Sequence, residues 1–191
     1  MIEELDMHIL DLVQNAIAAR ATMIEVDVRC TSDRLILRVR DNGRGMDETE
    51  LAEIEKGFYS TKSPRAVGLG IPFLKETAEE CDGSFSIVST RGQGTTVEAT
   101  FRRDHIDLPP FGNLPTTLLD LVVMCRDRRL LINYDCDGKT LNLDTAEITK
   151  LLGDFPIDHP AVIRFLQGYI NERIGGNNET GRVTEDSRAR R

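Results

Sequence analysis

The sequence predicts an α/β fold, a two-layer sandwich in which helices cover a mixed, mostly antiparallel sheet, with a small C-terminal α/β annex. Two observations support this prediction. Apolar residues recur at helical spacing near the start of the chain, and pairs of short alternating segments typical of half-buried strands follow. The order is a helix, two strands, two loop-and-helix units and two strands, which favours a sheet with helices on one face.

The first half of the chain contains each of these elements. A helix is predicted over residues 5–20, and residues 23–30 and 34–40 alternate as an antiparallel strand pair would. Asp47 and Glu50 have the spacing of a capping box, which predicts a short helix ending near residue 57. A hairpin is predicted over residues 84–101, with its turn at residues 91–94.

Residues 104–191 continue this organisation. Residues 104–112 read as a linker, residues 129–143 as a hairpin closed at Asp137-Gly138, and residues 144–152 and 160–174 as helices. We therefore predict three parts. They are a domain over residues 1–103, the annex over residues 104–174, and a disordered polar tail over residues 175–191.

Composition limits the possible functions. The net charge is -8, which makes a nucleic-acid backbone an unfavourable partner. The four cysteines and three histidines are scattered without a zinc pattern, so free buried thiols are expected. No apolar run reaches membrane-spanning length, and Ile2-Glu3-Glu4 does not start a signal peptide, so we expect a cytoplasmic protein without a membrane partner.

The most informative segment is Asp41-Asn42-Gly43-Arg44-Gly45-Met46, which follows a predicted strand. A carboxylate at a strand end, beside two glycines that allow close backbone approach, can accept a hydrogen bond from an exocyclic amine such as adenine N6. The alternative interpretation is an ordinary turn, because Asp-Asn-Gly is a common turn sequence.

Two further segments carry candidate residues. Asp11 and Asn15 are four residues apart and share one face of the first helix, where Asn15 could bind magnesium and Asp11 could position a water. Gly68-Leu69-Gly70 opens a helix, whose N-terminus can bind an anion. The alternatives are a solvated or locally bonded amide at Asn15 and a structural turn at the glycines.

In order, these segments resemble the GHKL ATP-binding superfamily of gyrase, heat-shock chaperones, histidine kinases and MutL-type repair ATPases. The resemblance covers residues 5–102 and rests on Asp11–Ala16, Asp41–Met46, Phe58–Lys62, Gly68–Gly70 and Gly94–Thr96. The first forty residues are more similar to MutL, and residues 57–101 to kinases. The resemblance implies the Bergerat-type fold, with ATP and Mg²⁺ as cofactors.

The resemblance also implies roles for individual residues. Asn15 binds the magnesium, and Asp41 accepts from adenine N6. Asp11 takes the position of the general base that activates water. The predicted nucleotide contacts are Asn15, Asp41, Gly43, Gly45, Met46, Lys62, Gly68, Leu69, Gly70 and Thr96; in this set Gly45 and Thr96 act near the adenine through water, and Lys62 and Gly68–Gly70 meet the phosphates.

Two departures from the family pattern leave the activity open. Hydrolytic members have glutamate where this chain has Asp11, and the lid, residues 63–67, is very short. We expect a slow ATPase or a nucleotide-gated switch acting on a protein partner. The alternatives are a histidine- or serine-type kinase acting in trans, although no phosphoacceptor hairpin is visible, and an ATP sensor without turnover. The chain also resembles small proteins that accompany redox enzymes such as iron hydrogenases, which suggests a redox enzyme as partner.

Overall fold

The structure, a computed structural model, describes residues 4–55 and 70–175. Six helices and six strands lie in these ranges. The helices are α1 (Leu5–Ala18), α2 (Glu48–Glu55), α3 (Gly70–Glu80), α4 (Leu114–Met124), α5 (Thr145–Leu152) and α6 (Pro160–Ile174). The strands are β1 (Met23–Cys30), β2 (Arg34–Asp41), β3 (Ser84–Thr90), β4 (Gly94–Arg102), β5 (Arg129–Cys136) and β6 (Lys139–Asp144).

All six strands form one sheet in the order β3-β4-β2-β1-β5-β6. Strand β1 pairs in parallel with β5, and every other neighbouring pair is antiparallel. The predicted mixed, mostly antiparallel sheet is therefore confirmed. The hairpins β3–β4 and β5–β6 also occur where the alternating sequence predicted them.

Helices cover the apolar face of the sheet. Strand residues alternate between the two faces, so Leu35, Leu37 and Val39 of β2 all point into the core. Helix α3 contacts β3 and β4, α1 contacts β1 and β2, α4 contacts β5, and α6 contacts β6. The two-layer α/β sandwich of the Bergerat type is confirmed, with the core between these helices and the sheet.

Local sequence signals explain several helix starts. Asp47 Oδ1 accepts from the Glu50 N–H at 2.9 Å, and Glu50 Oε2 accepts from the Asp47 N–H at 3.2 Å, so the predicted capping box forms before α2. Asp144 and His159 cap α5 and α6 through bonds to the N–H groups two residues later. These caps satisfy N–H groups that have no partner within their own helix.

The C-terminal segment extends the sheet of the first half of the chain. Strand β5 pairs with residues 23–29 of β1, and Thr117 Oγ1 on α4 donates to Asp6 Oδ2 on α1 at 2.9 Å. The Leu5 N–H also donates to the Pro110 carbonyl oxygen at 3.0 Å. A continuous apolar core contains side chains from both halves, so the division at residue 103 remains a prediction.

The cysteines differ from the expectation of four free thiols. Cys30 and Cys136 form a disulfide, whereas Cys81 and Cys125 are free and buried. The parallel register pairs Arg29 with Asp135, which places the two bonded cysteines side by side on β1 and β5. The pairing joins residues 106 positions apart, so it depends on a strand register that their spacing does not reveal.

Some predictions fall outside the described residues. These are the kinase-like segment 58–62, the lid at 63–67 and the tail beyond residue 175. Within residues 4–55 and 70–175, no helix has the length and apolar character needed to cross a membrane.

Candidate functional site

Asp41 ends β2 at the edge of the core. Its Oδ1 accepts from the Gly43 N–H at 2.6 Å. Burial raises the pKa of the Asp41 carboxyl, and hydrogen bonds from the Gly43 and Thr95 backbone N–H groups partly oppose that rise. The side chain is half-buried and held by backbone donors, as a fixed acceptor for a ligand donor would be.

Glycine is required where the loop after β2 meets the turn between β3 and β4. Gly45 has φ +61°, and a Cβ there would collide with the Thr90 carbonyl. Gly94 has φ +103°, and a Cβ there would collide with the Asp41 carbonyl. A Cβ at Gly43 would lie 2.8 Å from the Ala19 Cβ, so this loop also packs against the end of α1.

Asn42 fixes the same loop to the start of β1. Its Oδ1 accepts from the Thr22 and Met23 N–H groups, each at 2.9 Å, and its Nδ2 donates to Thr22 Oγ1 at 2.9 Å. The sequence analysis gave this residue no role of its own. Its partners lie about twenty positions away in sequence, so local sequence contains no signal for this contact.

Ser89 on β3 joins the two glycine-containing segments. Its hydroxyl accepts from the Met46 N–H at 2.9 Å and lies 2.9 Å from Thr95 Oγ1. It also donates to the Gly94 carbonyl oxygen at 3.1 Å. Met46 is therefore held next to the start of β4, close to Asp41. The sequence did not indicate this role of Ser89.

The strand register separates Thr96 from Asp41. Asp41 is paired with Thr95, whereas Thr96 is paired with Arg40. Because successive side chains alternate between faces, Thr95 shares the face of Asp41 and Thr96 lies on the other face. The sequence signal for Thr95 was present, since it has the same parity as the buried Val97, Ala99 and Phe101.

Helix α1 connects this region to the start of α3. The Arg44 N–H donates to the Ala19 carbonyl oxygen at 2.9 Å, and Asn15 lies one turn earlier on the same helix face. Asp11 lies one turn before Asn15 and packs against Gly70, where an added Cβ would be 2.5 Å from Asp11 Oδ2. Ala19, Asn15 and Asp11 thus span about 12 Å along α1, by the rise of an α-helix.

Asn15 is partly buried, and its side-chain nitrogen Nδ2 is fully buried. Among the described residues, its Nδ2 has no hydrogen-bond partner. A buried amide group without a partner is costly, and a flip about the last side-chain bond exchanges its oxygen and nitrogen. The group can therefore present its oxygen to a cation, which fits the predicted magnesium role.

The described ranges contain no group of three or more His, Cys, Asp or Glu side chains that could hold a metal ion. Magnesium commonly takes only one or two protein ligands, with phosphates and waters completing the octahedron. A single ligand from the protein, the Asn15 side-chain oxygen, is compatible with that coordination. Lys62, Gly68 and Leu69, predicted to meet the phosphates, lie outside the described residues.

Comparison with known proteins identifies relatives over this region. Residues 2–105 match the model of the histidine kinase-, DNA gyrase B- and HSP90-like ATPases. A putative sensor protein of Shewanella frigidimarina is 32% identical over 103 residues, which cover 52% of this chain and 16% of that protein. Sporulation kinase C of Bacillus subtilis is 30% identical over 97 residues, which cover 50% of this chain and 22% of the kinase.

A third relative is the sensor protein BceS of Halalkalibacterium halodurans, 34% identical over 99 residues, which cover 49% of this chain and 30% of that protein. The chain thus spans less than a third of the length of these relatives. Since the family match covers more than half of the chain, this chain belongs to the family of histidine kinase-, DNA gyrase B- and HSP90-like ATPases and carries its ATP-binding domain.

Proposed function

We propose that this protein binds ATP with magnesium in the groove along α1, and that it acts as a slow ATPase or nucleotide-gated switch for a protein partner. The observation that carries the proposal is the alignment along one helix. The Asp41 loop rests on Ala19, Asn15 follows one turn away, and Asp11 lies next to the N-terminal residue of α3. The residues proposed to bind adenine, magnesium and the phosphates would thus follow one another along α1.

The adenine end would be held by Asp41. Its carboxylate accepts from adenine N6, while the hydrogen bonds from the Gly43 and Thr95 N–H groups hold it in place. Glycines at positions 45 and 94 let two backbone segments approach each other beside the base. Thr95, which shares the face of Asp41, would take the role that the family resemblance gave to Thr96.

The phosphate end would combine Asn15 with the start of α3. The unpaired N–H groups and dipole of a helix N-terminus favour an anion, and the absence of a side chain at Gly70 lets Asp11 lie against the first turn of α3. Bound magnesium would supply charge neutralisation for the phosphates, with the Asn15 oxygen as its protein ligand. Lys62, Gly68 and Leu69 are proposed here from the family resemblance alone.

Hydrolysis would depend on Asp11. Its carboxylate orients a water and accepts its proton, as the general base of this family does. Aspartate is one methylene shorter than glutamate, and a misplacement on the order of 1 Å can cost about a hundredfold in rate. Slow turnover suits a switch, in which the nucleotide state changes how a partner is bound.

A second candidate is a kinase acting in trans, favoured by the relatives, several of which are named as kinases. A non-hydrolysing sensor is the third. Single-turnover measurements with labelled ATP separate the three: a switch with hydrolysis releases phosphate, a kinase transfers it to a protein, and a sensor leaves ATP intact. We place the protein in the cytoplasm, where ATP is available, with a partner that could be a redox enzyme.

Titration calorimetry with a non-hydrolysable ATP analogue tests the binding proposal. We expect Mg²⁺-dependent binding that Asp41→Asn weakens about tenfold, because the amide presents a donor to the adenine amine and one mismatched hydrogen bond costs on the order of 1.4 kcal/mol. The matched control is Asp135→Asn, an exposed carboxylate on β5 that should leave affinity unchanged. Equal, tight binding by wild type and Asp41→Asn would reject the adenine assignment.

A further inference from the structure

The Cys30–Cys136 disulfide links two neighbouring strands of the sheet. It lies at the end of β1 and β5, the parallel pair that joins the family-matched residues 2–105 to the C-terminal part of the sheet. Cys30 on β1 is paired with Leu35 on β2, and Asp41 ends β2 six residues after Leu35. The disulfide and Asp41 are therefore roughly 20 Å apart, at opposite ends of the strands.

The two cysteines of this disulfide differ in burial, and a polar link lies beside the bond. Cys30 is only partly buried, whereas Cys136 is 1% exposed. The Arg103 guanidinium donates to the Thr31 carbonyl at 2.8 Å and to both Asp137 carboxylate oxygens at 2.8 Å. Arg103 thus bridges the residues that follow the two cysteines, through a hydrogen bond to Thr31 and an ion pair with Asp137 that do not require the covalent bond.

We propose that Cys30–Cys136 is a reversible thiol–disulfide exchange site, reduced by a dithiol, that latches the 104–174 segment onto β1. A thiolate of the dithiol attacks the Cys30 sulfur, the S–S bond breaks, and Cys136 leaves as a thiolate that takes up a proton. The second thiol then attacks the mixed disulfide and releases Cys30. Two electrons and two protons pass from the dithiol to the protein, and the dithiol becomes a disulfide; the reverse exchange closes the latch.

The latch controls local opening of β5 and β6. In the oxidised protein, Cys136 cannot move away from Cys30, so β5 cannot separate fully from β1. In the reduced protein, β5 and β6 can separate, with the Arg103–Asp137 ion pair still holding the same end. In a fully unfolded chain, a bond that closes a loop of about 100 residues restricts the open state by about a thousandfold, and this is the upper limit for local opening of β5 and β6, which releases less chain.

The two remaining cysteines, Cys81 and Cys125, should react little with alkylating reagents in the folded protein. Burial raises the pKa of the Cys81 thiol, and it raises the pKa of Cys125 to about 11. Few thiolates therefore form at these positions near neutral pH, so alkylation of the native, reduced protein selects Cys30. Mass spectrometry after trapping identifies the bonded pair directly.

Hydrogen exchange of the full chain in thiol–disulfide buffers tests the proposal. Reduction with dithiothreitol should add 2 Da and speed amide exchange in β5 and β6 by up to about a thousandfold, while β3 and β4 change less than about twofold. Glutathione disulfide should restore both readouts. Cys30→Ser should match the reduced wild type, and Cys81→Ala, which keeps the bond, should match the oxidised one.

Three outcomes would overturn the proposal. The first is a protein that shows four free thiols after purification without reductant. The second is a native disulfide that excess dithiothreitol does not reduce, which would make the bond structural and not reversible. The third is reduction that speeds exchange equally in all six strands, because that would indicate global destabilisation instead of release of β5 and β6.

Discussion

Asp41 carries a carboxylate whose ionisation opposes folding in the absence of ligand. Its pKa is raised above the ordinary value of 3.8, chiefly by burial. From about pH 3.8 up to the folded-state pKa, the folded protein therefore holds more protons at this site than the unfolded one. The free energy of unfolding consequently falls as pH rises through that window, and the full penalty persists at pH 7.

Asp41→Asn should remove this pH-dependent penalty. Urea unfolding at several pH values should show the variant gaining stability relative to wild type as pH rises, by about 1.4 kcal/mol for each unit by which the pKa was raised. The amide oxygen can still accept from the Gly43 N–H. Asp41→Ala cannot accept, so it should be less stable than Asp41→Asn at every pH. A stability difference between Asp41→Asn and wild type that does not change with pH would contradict this account.

Asp11 is the residue on which hydrolysis should depend. Asp11→Glu should raise phosphate release by up to about a hundredfold by restoring the reach of the family's base, and Asp11→Asn should lower it with ATP affinity nearly unchanged. Asn15→Ala should instead abolish the Mg²⁺ dependence of binding. Single-turnover phosphate release and calorimetry measure these effects.

Gly70→Ala provides a second check on Asp11 when ATP is saturating, because Gly70 is itself a predicted nucleotide contact. An added Cβ would lie 2.5 Å from Asp11 Oδ2, so Gly70→Ala should displace the carboxylate and slow phosphate release without changing its chemistry. If Asp11→Asn and Asp11→Glu both hydrolyse ATP at the wild-type rate, Asp11 is not the base, and the sensor or kinase alternative becomes the better explanation.

At the scale of elements, the register between β2 and β4 decides which threonine faces the nucleotide. Thr95 is paired with Asp41 and Thr96 with Arg40. Thr95→Val should therefore weaken ATP binding several-fold, since it removes a hydroxyl on the face of Asp41. Thr96→Val, a matched change one position later, should alter affinity less than about twofold.

Calorimetry on both threonine variants, with melting temperatures measured beside it, separates binding from stability. Both side chains are partly buried, but the Thr95 hydroxyl also lies 2.9 Å from Ser89 Oγ, so Thr95→Val should lower the melting temperature as well. Affinities are therefore compared at a temperature at which both variants are folded. The opposite ranking, with Thr96→Val losing more affinity, would show that the nucleotide lies on the other face of β4.

At the scale of the whole molecule, the C-terminal segment completes the sheet. Strand β1 has β2 on one side and β5 on the other, so removing residues 104–191 would leave β1 as an unpaired edge and uncover the α1 surface that contacts α4. We expect a fragment of residues 1–103 to aggregate or to unfold with little cooperativity. Size-exclusion chromatography and circular dichroism measure this.

A fragment of residues 1–175 is the matched control for that truncation. It keeps every described element, including the hydrogen bond from Lys139 Nζ to the Gly175 carbonyl oxygen at 3.0 Å, and should unfold like the full chain. If residues 1–103 instead form a stable monomer with a cooperative transition, the predicted domain boundary at residue 103 is correct in the strict sense of independent folding.

The sequence by itself determined the class and order of the elements. Alternation with period two marked the strands, helical spacing marked α1, and the Asp47–Glu50 capping box marked the start of α2. These signals are local, because each depends on residues close in the chain. The family was recognisable for a similar reason, because its short motifs recur in a fixed order. The motif of Asp41 and its glycines lies within a single loop, so it can be identified from adjacent residues.

Tertiary structure alone decided what depends on pairing between distant segments. The order of the strands places β5 beside β1, and the register between these two strands brings Cys30 next to Cys136, although 106 positions separate them. The alternation of β4 already placed Thr95 on its apolar face, and the pairing of β2 with β4 placed it directly opposite Asp41. Hydrogen bonds between strands have nearly the same strength in many registers, so the buried faces and the packing of the helices select one, and that choice involves the whole chain at once.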